Sequence, residues 1–192
     1  MKFVHTADSH LGFEVTKTVS SHKEGRERRA EEIYKNFEEV ARHALEIEAD
    51  LFIHSGDLFN KYYIPRDRLD HLIGPLMDLE RAGIPVLIIP GNHERSEFPF
   101  DLFHGAKGVF VFDRPKTVAL TLDGYRVGVA GFPFIRQDSR RTFLKALGET
   151  EYEELRSDLN ILITHQAFDG ARVGPVEYTF NPGRSDTVTS SK

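Results

Sequence analysis

Four short segments of this chain offer side chains that can hold a cation and work on a phosphate: Asp8-Ser9-His10, Gly56-Asp57, Gly91-Asn92-His93-Glu94 and Thr164-His165-Gln166. Each follows an apolar run of strand character. Ligands of open α/β sheets collect beyond the carboxyl ends of strands, so Asp8, Asp57, Asn92 and His165 are expected at one edge despite their separation in the chain. Mixed carboxylate, amide and imidazole ligation suits Mn²⁺, Fe²⁺ or Zn²⁺ better than Ca²⁺, and a chain without cysteine has no thiolate site. Each segment alone is ordinary, since Asp after a strand usually caps or turns and Gly-Asp usually makes a turn. Their conjunction, in order and at strand ends, points to metal-assisted hydrolysis at a two-metal site.

The elements that must position these residues follow from periodicity. Residues 2–7 read as a buried strand, followed by a polar loop from Asp8 to about Gly25. Over 28–48, Ile33, Phe37, Val40, Ala44 and Ile47 fall at helical spacing. Residues 51–54 form a second strand. A second helix opens at Pro65, carries Leu69, Leu72, Ile73, Leu76 and Leu79, kinks or breaks at Gly74-Pro75 and stops at Gly83. Residues 85–89 are a third strand. Short strands at 109–112, 117–122 and 125–130 follow, the last two joined by an Asp123-Gly124 turn, then a helix over 139–147 and a strand over 160–164. A βαβαβ half followed by an antiparallel half predicts an α/β fold of two sheets packed face to face, with helices outside. The expected division is one domain over 1–170 and a loop or disordered tail over 171–192, rich in Gly, Pro, Ser and Thr.

Composition bounds the class. The chain has 192 residues, 40% of them hydrophobic, enough for one domain with a real core. No apolar run spans a bilayer, and the first residues read as a strand and not as a signal peptide, so no membrane is expected and the cytoplasm is the default location. The formal net charge of −5 leans away from nucleic acid, although two divalent cations would offset much of it. Arginine clusters such as Arg136, Arg140 and Arg141 read as solvated faces. His5, His22, His43, His54, His71 and His104 read as packed or surface histidines rather than ligands, and Glu94 as a helix-start acid or an orienting neighbour.

Asp8-Ser9-His10, Gly56-Asp57-Leu58-Phe59, Gly91-Asn92-His93-Glu94 and Thr164-His165 resemble the calcineurin-like metallophosphoesterase superfamily. More narrowly, the run from His5 to Gly12, Gly56-Asp57-Leu58-Phe59 and His165-Gln166 resemble the DNA double-strand-break nucleases of the SbcD and Mre type. The resemblance covers about residues 1–170. It implies an αββα sandwich of two mixed β-sheets flanked by helices. It implies that Asp8 and His10 hold one metal, Asp57 bridges both, and Asn92 and His165 hold the second. His93 would lie beside the scissile phosphate as a catalytic group. The implied cofactors are two divalent ions, Mn²⁺ first and then Fe²⁺, Zn²⁺ or Mg²⁺. The implied partners are DNA, an ABC-type ATPase of the SbcC or Rad class, and a second copy of the chain, through residues 65–83 and 98–104. The activity would be exonuclease and endonuclease cleavage in break repair. A small-molecule phosphodiesterase or phosphatase on the same scaffold, and a non-catalytic assembly fragment, are the alternatives.

Two departures stand out. Asn60 occupies a position where the nucleases often have a histidine near the substrate phosphate; it can donate a hydrogen bond there but carries no proton. The family also closes its site with a late Gly-His-x-His, and no histidine follows His165. A fragment, a short form completed by water or another subunit, and a degenerate relative all fit. The intact earlier ligands favour the fragment.

Overall fold

Leu51–His54 and Val86–Ile88 are apolar along their length and buried at every position. Strands covered on both faces belong in the middle of a parallel sheet, where helical crossovers pack on one side and a second layer on the other. The computed structural model describes residues 1–12, 23–60, 64, 66–94, 98–136, 138–168 and 187–188. In it, these segments are β2 and β3 of a four-stranded sheet ordered β1-β2-β3-β4, with β1 at Phe3–Thr6 and β4 at Val109–Val111. All three pairings are parallel, with Phe3 opposite Leu51, Phe52 opposite Val86 and Val86 opposite Val109. The crossovers are α1 (Lys23–Glu46), α2 (Arg66–Leu72) with α3 (Gly74–Arg81), and a 3-10 turn at Phe100–Phe103.

The expected break at Gly74-Pro75 is where one helix becomes two. Pro75 sits in the first turn of α3, where its missing N–H costs nothing. Gly83, at φ +82°, follows the end of α3. On α1, Phe37, Ala41 and Ala44 are buried, with Ile33 and Val40, and Ile47 just past its end, partly so. They pack on one face of the first sheet with Leu76 and Leu79 of α3 and with Phe52, Val86 and Ile88.

The second sheet is mixed. β5 (Lys116–Leu122) and β6 (Tyr125–Gly131) form the expected hairpin, and β7 (Leu159–Ile163) runs parallel to β6. Leu51, Ile53, Leu87 and Ile89 from the first sheet meet Leu122, Val127, Val129 and Ile163 from the second in one buried cluster. The two sheets therefore pack face to face. α4 (Ser139–Glu149) packs through Phe143 and Ala146 against Phe132, which follows β6, and against Val188. The result is the expected αββα sandwich, parallel in its first sheet and mixed in its second.

Most of the expected tail lies outside the described residues, as does His22. Thr187–Val188 is described. It forms β9, paired in parallel with β8 (Ala167–Phe168), and Val188 packs against Phe132 and Phe143. A two-residue strand joined across about twenty residues leaves no local periodicity to read. Among the described residues no helix is long and apolar enough to cross a membrane.

Candidate metal centre

The loops after β1 and β2 stay side by side beyond the sheet. Asp8 N–H donates to Gly56 O at 3.0 Å, His10 N–H to Asp57 O at 2.9 Å and Leu11 N–H to Leu58 O at 2.8 Å. Leu11 and Phe59 close this extension with an isolated bridge. Three non-glycine residues in it adopt left-handed backbone: Asp8 at φ 56°, His10 at 48° and Asp57 at 54°. L-residues seldom do so, and such positions concentrate where side chains must be aimed.

The glycines are explained by close approach. A Cβ on Gly91 would lie 2.1 Å from Asp57 Oδ1 and 2.3 Å from Asp57 N. A Cβ on Gly56 would lie 2.2 Å from His165 Nδ1. Gly91 lets the loop after β3 press against Asp57, and Gly56 lets the loop after β7 do the same.

Asp57 is the centre of the result. Its side chain is buried, and its Oδ2 faces three imidazole nitrogens: His165 Nε2 at 3.5 Å, His93 Nε2 at 3.8 Å and His10 Nε2 at 3.9 Å. Asp8 Oδ1 lies 4.0 Å from His10 Nε2, and Asn92 Oδ1 lies 3.2 Å from His165 Nε2. The ligand-type atoms form two overlapping groups, His10–Asp57–His93 and Asp8–Asp57–His165, each within 4.8 Å. Most of these separations are too long for hydrogen bonds and short enough for ligands of a shared ion.

The imidazoles are oriented from behind. His165 Nδ1–H donates to Ser55 O at 2.8 Å, which turns Nε2 toward Asp57. His93 Nδ1–H donates to Asn60 O at 3.3 Å, with the same effect on its Nε2. Backbone bonds that fix the outer ring nitrogen are the usual support of a metal-facing histidine. His10 Nδ1 is buried without a partner among the described residues.

The charges support the same arrangement. Burial pushes the Asp57 carboxyl upward, but the neighbouring His165 and the His93 N–H, at 3.0 Å from Oδ1, hold it below its usual range. Burial works against a charge on His165, yet Asp57 holds its pKa above the ordinary value. A carboxylate kept ionised beside imidazoles is an electron-rich donor set, and hard-to-borderline divalent cations fit it.

A model of the calcineurin-like phosphoesterase family matches residues 1–188. The chain belongs to the calcineurin-like phosphoesterase family. The family implies divalent metal binding, and the donor set described above fits it. Curated relatives narrow the likeness. The DNA double-strand break repair protein Mre11 of Methanocaldococcus jannaschii is 28% identical over 173 residues, covering 88% of this chain and 44% of that protein. Mre11 of Haloferax volcanii is 31% identical over 175 residues, covering 87% of this chain and 34% of that protein. Mre11 of Aeropyrum pernix is 29% identical over 182 residues, covering 88% and 42%. The chain thus spans less than half the length of these relatives.

The structure brings together Asp8, His10, Asp57, Asn92, His93 and His165. Asn60 is beside them through its carbonyl on His93. His5 and His54 are hydrogen-bonded to serines, His5 Nε2 to Ser55 Oγ at 2.7 Å and His54 Nε2 to Ser9 Oγ at 2.8 Å. His43 and His71 are exposed on α1 and α2.

The larger surprise is Glu94. It is 2% exposed, and its carboxylate accepts from Phe59 N–H and Gly91 N–H, each at 2.7 Å. This clamp ties the loop after β2 to the loop after β3. Burial pushes its pKa up to about 7, against the pull of both N–H groups. An acid directly after a ligand-bearing turn is the only sequence signal for it.

Proposed function

We propose that this chain carries the phosphodiesterase site of a DNA-repair nuclease, with two divalent ions, Mn²⁺ foremost, as cofactors. The observation that carries the reading is Asp57 Oδ2, faced at 3.5–3.9 Å by three imidazole nitrogens delivered from three other loops. The relatives' role in DNA double-strand-break repair supports the choice of DNA as substrate.

Asp8, His10 and Asp57 would hold one ion, and Asp57, Asn92 and His165 the other. When bound, two ions polarise a phosphodiester and supply hydroxide at neutral pH. The chain's own residues do the rest. Asp57 would serve both positions through Oδ2, which faces His10 and His165 alike, while its Oδ1 accepts the His93 N–H. Asn92 is neutral and leaves positive charge for the phosphate. His93, partly exposed and anchored through Nδ1 on Asn60 O, presents Nε2 to incoming substrate and can give a proton to the leaving oxygen. Asn60 borders the same opening. A second copy of the chain and an ABC-type ATPase of the SbcC or Rad class complete the assembly in the cytoplasm.

Titration calorimetry with Mn²⁺, paired with cleavage of a single-stranded oligonucleotide, tests this. His93→Ala is expected to keep the metal and lose cleavage by roughly 10²–10⁴-fold, the usual weight of a general acid. Loss of metal together with activity would overturn the role given to His93, and absence of Mn²⁺ binding in the parent chain would overturn the site. The net charge of −5 favours a second reading, a small nucleotide diester as substrate. Turnover of such a diester with no cutting of DNA would select it.

A further inference from the structure

His54 closes β2 beneath the metal centre and is 0% exposed. Its ring has one polar contact among the described residues, Ser9 Oγ at 2.8 Å, and its Nδ1 has no partner. A buried N–H without an acceptor is rarer than a buried lone pair without a donor, so the ring proton sits on Nε2 and donates to Ser9. Phe37 meets the ring edge-on, so an apolar side chain would suit this place as a packing element. The histidine is explained by what it holds.

Ser9 stands between Asp8 and His10, both at positive φ. Their backbone N–H groups are tied to the loop after β2, but Ser9 is the one residue of the turn whose side chain is anchored in the core. The arrangement is reciprocal. His5 on β1 bonds Ser55 Oγ after β2, while His54 on β2 bonds Ser9 Oγ after β1. Ser55 in turn donates its N–H to Thr6 O at 2.9 Å and accepts from His165 Nδ1 through its carbonyl.

We propose that Ser9 and His54 are positioning residues that hold Asp8 and His10 in ligand geometry, with His5 and Ser55 as the matching brace under His165. This rests on the metal-centre reading above. Neither Ser9 nor His54 touches the ion or the substrate; both act through the ligands beside them.

Titration of the full chain with Mn²⁺ by calorimetry, with Ser9→Ala, Ser9→Thr and His54→Phe, tests the proposal. Ser9→Ala is expected to bind Mn²⁺ about 10- to 100-fold more weakly, the usual loss when a supporting hydrogen bond behind a ligand is removed. Ser9→Thr, which keeps the hydroxyl, is expected to restore most of the affinity. In the His54→Phe background, Ser9→Ala is expected to cost nothing further. Parental affinity in Ser9→Ala, equal weakness in the alanine and threonine variants, or additive losses would each overturn the brace while leaving the metal centre standing. Failure of the parent chain to bind Mn²⁺ would overturn both. If His54→Phe does not fold, the alanine and threonine pair decides.

Discussion

Replacing His54 with phenylalanine removes a titration that the fold suppresses. Burial pushes the His54 pKa down to about 3, with the neighbouring His165, His5 and His10 adding to the effect and Asp57 opposing it. Above the ordinary value of 6.5 the ring is neutral in both folded and unfolded chains, and it adds no pH dependence. Below it, only the unfolded chain takes the proton, so stability falls as pH falls, and continues to fall until the folded ring titrates. At about 1.36 kcal/mol per pH unit, the loss reaches about 2.7 kcal/mol by pH 4.5. Glu94 acts in the opposite sense. Its pKa is raised from 4.5 to about 7, so the folded chain takes the proton first and gains stability as pH falls from 7 to 4.5. The gain is about the same size, so the parent chain conceals two opposed slopes. The assay is urea unfolding of metal-free protein in EDTA at pH 7.5 and 4.5, for the parent and His54→Phe. The stability difference is expected to shift by about 2.7 kcal/mol in favour of the variant on acidification, whatever its offset at pH 7.5. Glu94→Gln is expected to shift the other way. Parallel profiles for parent and His54→Phe would refute the account of a buried neutral histidine.

Gly91→Ala drives a methyl group onto Asp57 Oδ1 and N, so it is expected to cost about 1–3 kcal/mol and to abolish Mn²⁺ binding; an unchanged melt with binding intact would refute the close-approach argument. Glu94→Ala strands the Phe59 and Gly91 N–H groups, at about 1–3 kcal/mol each, read by urea unfolding at pH 8. Asp57→Asn keeps the shape and removes the charge; calorimetry is expected to show both ions lost, and retention of either at parental affinity would displace Asp57 from the centre.

The fold was legible in outline because its signals are local. The strands at 51–54 and 86–88, the break at Gly74-Pro75 and the Asp123-Gly124 hairpin all follow from runs of a few residues. The gathering of Asp8, Asp57, Asn92 and His165 was legible too, since parallel strands deliver their carboxyl ends to one edge. What supports those residues was not. Glu94 reaches Phe59 across 35 positions, and His54 reaches Ser9 across 45. Such bonds depend on which strands lie side by side, and no spacing encodes that. β8 and β9 escaped for the same reason, because two residues show no period.

The parallel registers also set the order in which the molecule can assemble. Phe3 meets Leu51, and Phe52 meets Val86, only after the intervening helices have closed long loops. Loop closure costs entropy before a ladder bond repays it, which places such sheets among the slower folders. The candidate cation site draws on loops from both sheets, so it is complete only once the two sheets have packed. A divalent ion that binds there would add its binding free energy to the packing of one sheet on the other, stabilising the native chain by mass action.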